Sequence, residues 1–315
     1  MGPRAASSAA AKDPEHWPDY AVDWFRAVFF TKDIVFFAVY AAAFAVYVVA
    51  TEPAEGRYMN SRGMLISNGA RAALTVLFAL IAIITLWIDL YLATAPEPND
   101  RKWNLVGKGI GGHFCFLTVH ILTTWAFYWS ICSVVEVAWW AGVNEPWVAT
   151  GVTAMYRFAV ISSSLGTVLT ILFLKFNWYE PTWRRDVLAM YESRGKYMFR
   201  YKILFTHLNQ LPIAVLDCVV LKQTHGGMLT AVTPTMEGLL ILTFAYCVAY
   251  LAFTHLNFRL NSGIYPYPFM DKLFSTWSSE IVFFLGLVLF VFCIIVAYRF
   301  VAVESRAVER FFLGD

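Results

Sequence analysis

The sequence predicts an all-α fold, a polytopic transmembrane helical bundle of about seven spans, and three observations predict it. Apolar residues fill 59% of the 315 positions and charged residues only 15%, a balance foreign to a water-soluble domain of this size. Seven stretches reach the length needed to cross a hydrocarbon core, about 20 residues of helix. They lie at residues 33–51, 71–94, 113–137, 150–175, 202–222, 228–255 and 279–303. Short polar loops separate them, so one bundle is the simplest architecture. Helices are required because lipid offers no partner to an unpaired backbone amide.

In chain order, residues 1–32 form an N-terminal interfacial segment with the aromatic run "WPDYAVDWFRAVFF" (17–30). Asp13, Glu15 and Asp19 argue against a transit peptide, and no apolar signal core precedes the first span. "MGPRAAS" has Pro3 after the glycine and alanine at position 6, which fails the myristoylation pattern. Residues 33–111 hold additional N-terminal spans and loops, 112–303 the core, and 304–315 a tail. "GKGIGG" (107–112) precedes a membrane helix, so it reads as a flexible entry to the third span rather than a phosphate cradle. All five cysteines fall inside expected spans, which gives no disulfide framework. No His, Cys, Asp and Glu spacing suits a metal, no cofactor is expected, and the serine-hydrolase elbow is absent.

Lys and Arg divide unequally between the two ends of the spans. Sixteen stand on the side of the N-terminus and seven, including Arg71 and Lys222, on the other. The excess marks the cytosolic side. The N-terminus is therefore expected in the cytosol and the C-terminus opposite, in an endomembrane by preference. With a net charge of only +2 and no basic block, nucleic acid is not an expected partner.

Polar side chains within the spans carry the chemistry, since each is costly in lipid. The candidates are Asp89, Thr118, His120, Arg157, His207, Asp217, Glu237 and His255. Counting a rise of ~1.5 Å per residue and alternating the direction of the spans puts Thr118 and His207 at one level near the cytosolic end, with Asp89 within a turn of it. A hydroxyl and an imidazole at equal height suit nucleophilic catalysis, because the imidazole can take the hydroxyl proton as attack begins. The plainer alternative is a threonine bonded back to its own helix and a histidine linking two helices. His120, two residues from Thr118, points to the other helix face and reads as an interhelical hydrogen-bonder. Asp89 is the carboxylate at a depth suited to orienting His207. Arg157, Asp217 and Glu237 form a deeper layer, read as a structural ion-pair network with a proton or ion pathway as the alternative.

Four motifs carry a resemblance. "FLTVHILTTWAFYWSICSV" (116–134), "YRFAVISSSLGTVLTILF" (156–173), "THLNQLPIAVLD" (206–217) and "YPYPFM" (265–270) follow the order and approximate spacing of the androgen-induced protein / androgen-dependent TFPI-regulating-protein family. The resemblance implies a multi-span membrane hydrolase that cleaves fatty acid esters of hydroxy fatty acids with a threonine nucleophile and a histidine. The family's threonine follows a Phe-Leu pair, which selects Thr118; its histidine stands five before a proline, with an acid five beyond, which selects His207, Pro212 and Asp217. The first ~70 residues look like an addition, the stretch from His255 to the Tyr-Pro motif is longer, and "LNQ" (208–210) replaces smaller residues.

The expected partners are a lipid substrate drawn from the bilayer, the membrane lipids and a larger membrane assembly. The last belongs to the competing reading, a non-catalytic membrane subunit; a channel or transporter is a third. "YPYPFM" cannot continue a helix. Its rings suit the headgroup zone. It reads as an interfacial hairpin, with a lid over the site as the alternative.

Overall fold

The computed structural model describes residues 31–53, 67–93, 111–175, 199–222, 228–260 and 263–303. The aromatic run 17–30, most of "GKGIGG" and the tail 304–315 lie outside the described residues. Every regular element among the described residues is helical. The elements are α1 (Thr31–Val49), α2 (Asn68–Ala93), a 3₁₀ turn (Gly112–Cys115), α3 (Leu117–Trp140), α4 (Pro146–Phe173), α5 (Phe199–Leu208), α6 (Gln210–Val215) and a π-helical turn (Leu216–Leu221). They continue as α7 (Met228–Val232), α8 (Met236–Leu260), α9 (Pro268–Leu273) and α10 (Trp277–Val303). Among the described residues α2, α3, α4, α8 and α10 are long and apolar enough to cross a membrane, and α1 is a shorter apolar helix. The pass expected at 202–222 is broken into α5, α6 and the π turn. Pro212 explains the break near Leu208, because it brings no N–H to the carbonyl four residues back. This is a membrane-embedded protein with about seven passes.

α4 is the axis of the bundle. It touches α1, α3, α5, α6, α7 and α10. Small residues allow this close approach, as they do wherever membrane helices pack without a hydrophobic drive between them. A Cβ at Gly166 would stand 2.5 Å from Trp125 Cζ2 on α3, and one at Gly151 2.5 Å from Val135 Cγ1. Trp125 Nε1 donates to the Ser162 carbonyl at 2.9 Å across the same contact. α10 lies on the outside, with Leu285 and Leu289 exposed where lipid would solvate them.

The deep charges pair differently from expectation. Asp217 accepts a 2.6 Å hydrogen bond from the Tyr128 phenol and lies 3.5 Å from Lys222 Nζ, while Arg71 reaches both oxygens of Glu136 at 2.6 and 2.7 Å. Arg157, half-buried, joins neither pair, and Glu237 is exposed in the first turn of α8. Glu237 is shallower than its place in the expected span 228–255 implies, because the helix starts at Met236, after Pro234. Arg157 fails for another reason: equal depth says nothing about which way a helix face points. Arg71 and Lys222 are buried ion-pair partners instead of loop cations, so they say nothing about orientation.

Hydrogen bonds fasten α1 to the core, among them those at two histidines. Asp33 accepts from the His113 backbone N–H at 2.9 Å and pairs with His113 Nδ1 at 2.8 Å. His120 accepts from the Tyr40 phenol at Nδ1 (2.6 Å) and donates from Nε2 to the Phe114 carbonyl (2.6 Å), the interhelical link its position suggested. Gly112 opens the 3₁₀ turn at φ 53, in the left-handed region that favours glycine.

Candidate functional site

Thr118 is the second residue of α3. Its neighbour Phe116 caps the helix in an extended conformation without a side-chain hydrogen bond, so the first-turn amides are not answered by a capping side chain. A hydroxyl here sits at the positive end of a 24-residue helix, where negative charge is stabilised. The Thr118 N–H donates to the Tyr267 hydroxyl at 3.3 Å, and the two hydroxyls are 3.4 Å apart. Tyr267 comes from the hairpin between α8 and α9, stacked on Phe269 and edge-on to Phe116. Burial pushes its phenol up to about 12, against the lowering effect of its bonds to Thr118, and the nearby Asp89 raises it further. It is thus a protonated donor throughout the physiological range.

His207 is buried near the end of α5. Its Nδ1 lies 2.9 Å from the Ile203 carbonyl and 2.8 Å from Thr206 Oγ1, whose own proton goes to the same carbonyl at 3.1 Å. Only a proton on Nδ1 makes these contacts favourable, since a lone pair there would face a carbonyl oxygen. The basic lone pair is therefore on Nε2. The ring stacks on Phe173 of α4 at 4.3 Å between centroids, and Thr170 Oγ1 holds the His207 carbonyl at 2.7 Å. The backbone of the histidine's own helix thus holds Nδ1 in place.

Thr118, His207 and Tyr267 line one cavity of about 70 Å³, closed by aliphatic and aromatic side chains of α4, α8 and α10. Thr118 bonds to Tyr267 rather than directly to His207. A cavity of this size has room for a reacting group and a water, whose share of the liquid is about 30 Å³, while long chains would extend beyond it.

The other predicted residues fall elsewhere. Asp89 is buried and near enough to act on Tyr267 through its charge. Asp217, Arg157 and Glu237 do not line the cavity. His255 pairs with Glu280 and lies 3.4 Å from the Tyr265 hydroxyl, anchoring the other tyrosine of the hairpin. Sequence reasoning missed the contact of Tyr267 with Thr118; its one signal was a tyrosine between two prolines at the end of the bundle that holds Thr118. Among the described residues no group of His, Cys, Asp or Glu is arranged to hold a metal ion.

A family model described as FAR-17a/AIG1-like protein matches residues 73–302. It begins inside α2 and ends inside α10, so α1 lies outside it. No curated protein and no solved structure matches the chain.

Proposed function

Because the chain belongs to the FAR-17a/AIG1-like family, the androgen-induced protein family, we propose that it is a membrane-embedded hydrolase of long-chain lipid esters. Fatty acid esters of hydroxy fatty acids are the substrate class its motifs suggest. Thr118 Oγ is the nucleophile and His207 Nε2 the general base. One observation supports this above the rest: a hydroxyl at a helix N-terminus and an imidazole with Nδ1 held as a donor line the same small apolar cavity.

In this reading the ester carbonyl enters the cavity and its chains stay in hydrocarbon. Thr118 Oγ attacks the carbonyl carbon as His207 Nε2 takes the hydroxyl proton. The oxyanion accepts a hydrogen bond from the Tyr267 phenol, whose oxygen is held by the Thr118 N–H, beside the positive end of α3. Collapse breaks the bond to the alcohol oxygen, which receives the proton from His207. Water then adds to the acyl-threonine with His207 again as base, releasing the acid and restoring Thr118.

The test uses purified full-length protein in lipid nanodiscs, offered long-chain esters and a fluorophosphonate probe. Wild type should turn over an ester and take the probe, and Thr118→Ala and His207→Ala should do neither. Wild type inert toward both would overturn the proposal and leave the non-catalytic subunit reading.

A further inference from the structure

A second cavity, of about 370 Å³, lies between α1, α4, α8 and α10. It carries no charged side chain on its wall. Six hydroxyls line it, and five are already committed. The Tyr40 phenol donates to His120, Tyr47 to the Ala154 carbonyl at 3.2 Å, Thr124 to the His120 carbonyl at 2.9 Å, Ser164 to Val160 at 2.6 Å and Thr243 to Leu239 at 2.7 Å. The sixth, Tyr246, is 37% exposed and stands beside Leu242, which is 56% exposed, so the cavity reaches the lipid-facing surface of the bundle. A space this large, with no charged group and with five of its six hydroxyl protons already donated within the protein, offers little to a headgroup or a chain of waters, since water in a cavity needs two to four polar partners. It suits hydrocarbon.

The cavity is separate from the site around Thr118. Its wall on α8 runs from Leu239 to Tyr246, whereas the smaller cavity begins at Cys247 and continues to Thr254. On α3 its residue is Thr124, ~9 Å along the axis from Thr118. Its outer wall is α1, through Tyr40, Ala43, Phe44 and Tyr47, and α1 lies outside the segment that the family model matches. An element outside the family match thus closes a chamber within the bundle.

We propose that this chamber is a binding site for one acyl chain of a bilayer phospholipid, entering methyl end first past Leu242 with its headgroup left outside. The occupant is fixed by what the wall lacks. A charged end would lose its solvation against a wall without a charged partner, whereas an acyl chain exchanges one apolar surrounding for another and fills a void that would otherwise leave its lining without contacts.

The test is photocrosslinking of the full chain in phosphatidylcholine nanodiscs doped with a phosphatidylcholine bearing a diazirine at the end of one acyl chain. Label should concentrate on residues 40–47 and 239–246 above the lipid-facing background on α10 at Leu285 and Leu289. Ala43→Phe, which fills the chamber from α1, should abolish that excess and leave the α10 background unchanged. Leu242→Trp fills it from the exposed side and gives the same readout if Ala43→Phe does not fold. Thr118→Ala should leave the excess intact. Even labelling over all lipid-facing helices, an excess that survives both filled variants, or its loss in Thr118→Ala would each overturn the proposal.

Discussion

The hydroxyl of Tyr267 lies 3.4 Å from the hydroxyl of Thr118, although 149 residues separate them in the chain. Burial keeps this phenol protonated, so under the proposed mechanism it would serve a reacting carbonyl as a donor rather than as a base. Tyr267→Phe should therefore lower kcat by about 100-fold, the usual cost of removing one oxyanion donor. KM should change little. A change confined to KM would mean that Tyr267 only shapes the entrance.

The same phenol makes a prediction about pH. Its pKa is raised to about 12, so the donating form is present below that value and is lost only as pH rises through it. The ratio of wild-type to Tyr267→Phe turnover should stay flat from about pH 7 to about pH 10, the value near which an ordinary tyrosine titrates. A ratio falling toward unity by about pH 10 would place the phenol in an ordinary environment.

Asp217 belongs to the motif that selects His207, yet its side chain is ~15 Å further along the pass and is engaged by Tyr128 and Lys222. Those contacts give it a structural role to test. Lys222→Met should destabilise the protein by about 3–5 kcal/mol, since it leaves a buried carboxylate without its cation. Adding Asp217→Leu should recover much of the loss in a thermal-unfolding measurement in detergent. Equal destabilisation in the double variant would show that the pair does not act as a unit.

How far the sequence carries can be read from these residues. Composition and length made the bundle legible, because in a hydrocarbon solvent an apolar segment can satisfy its own backbone groups by forming a helix. The Phe-Leu-Thr and His-Pro-Asp spacings selected the two residues that share a cavity. Depth arithmetic failed on the ion pairs: it gives height, while partners are chosen by the direction a helix face points, so Arg157 was matched to Asp217 in place of Lys222. Tyr267 escaped for a related reason. Nothing local to "YPYPFM" reveals that its hairpin folds back over the start of α3.

Gly166 is one of two glycines of α4 that leave no room for a Cβ against α3. Gly166→Ala puts a methyl 2.5 Å from Trp125, which is buried and bonded to Ser162 and so has little room to yield. The cost should be about 1–3 kcal/mol of overpacking strain. Since Gly166 does not touch the Thr118 cavity, the folded fraction should keep its turnover.

The most direct measurement is to trap the covalent intermediate. Full-length protein in nanodiscs is quenched in acid during turnover of a long-chain ester and digested, and the peptide containing Thr118 is weighed by mass spectrometry. That peptide should carry the mass of the acyl group in wild type, with none in Thr118→Ala. Turnover that persists in Thr118→Ala, or acyl mass on a different residue, would contradict the assignment of Thr118 as the nucleophile.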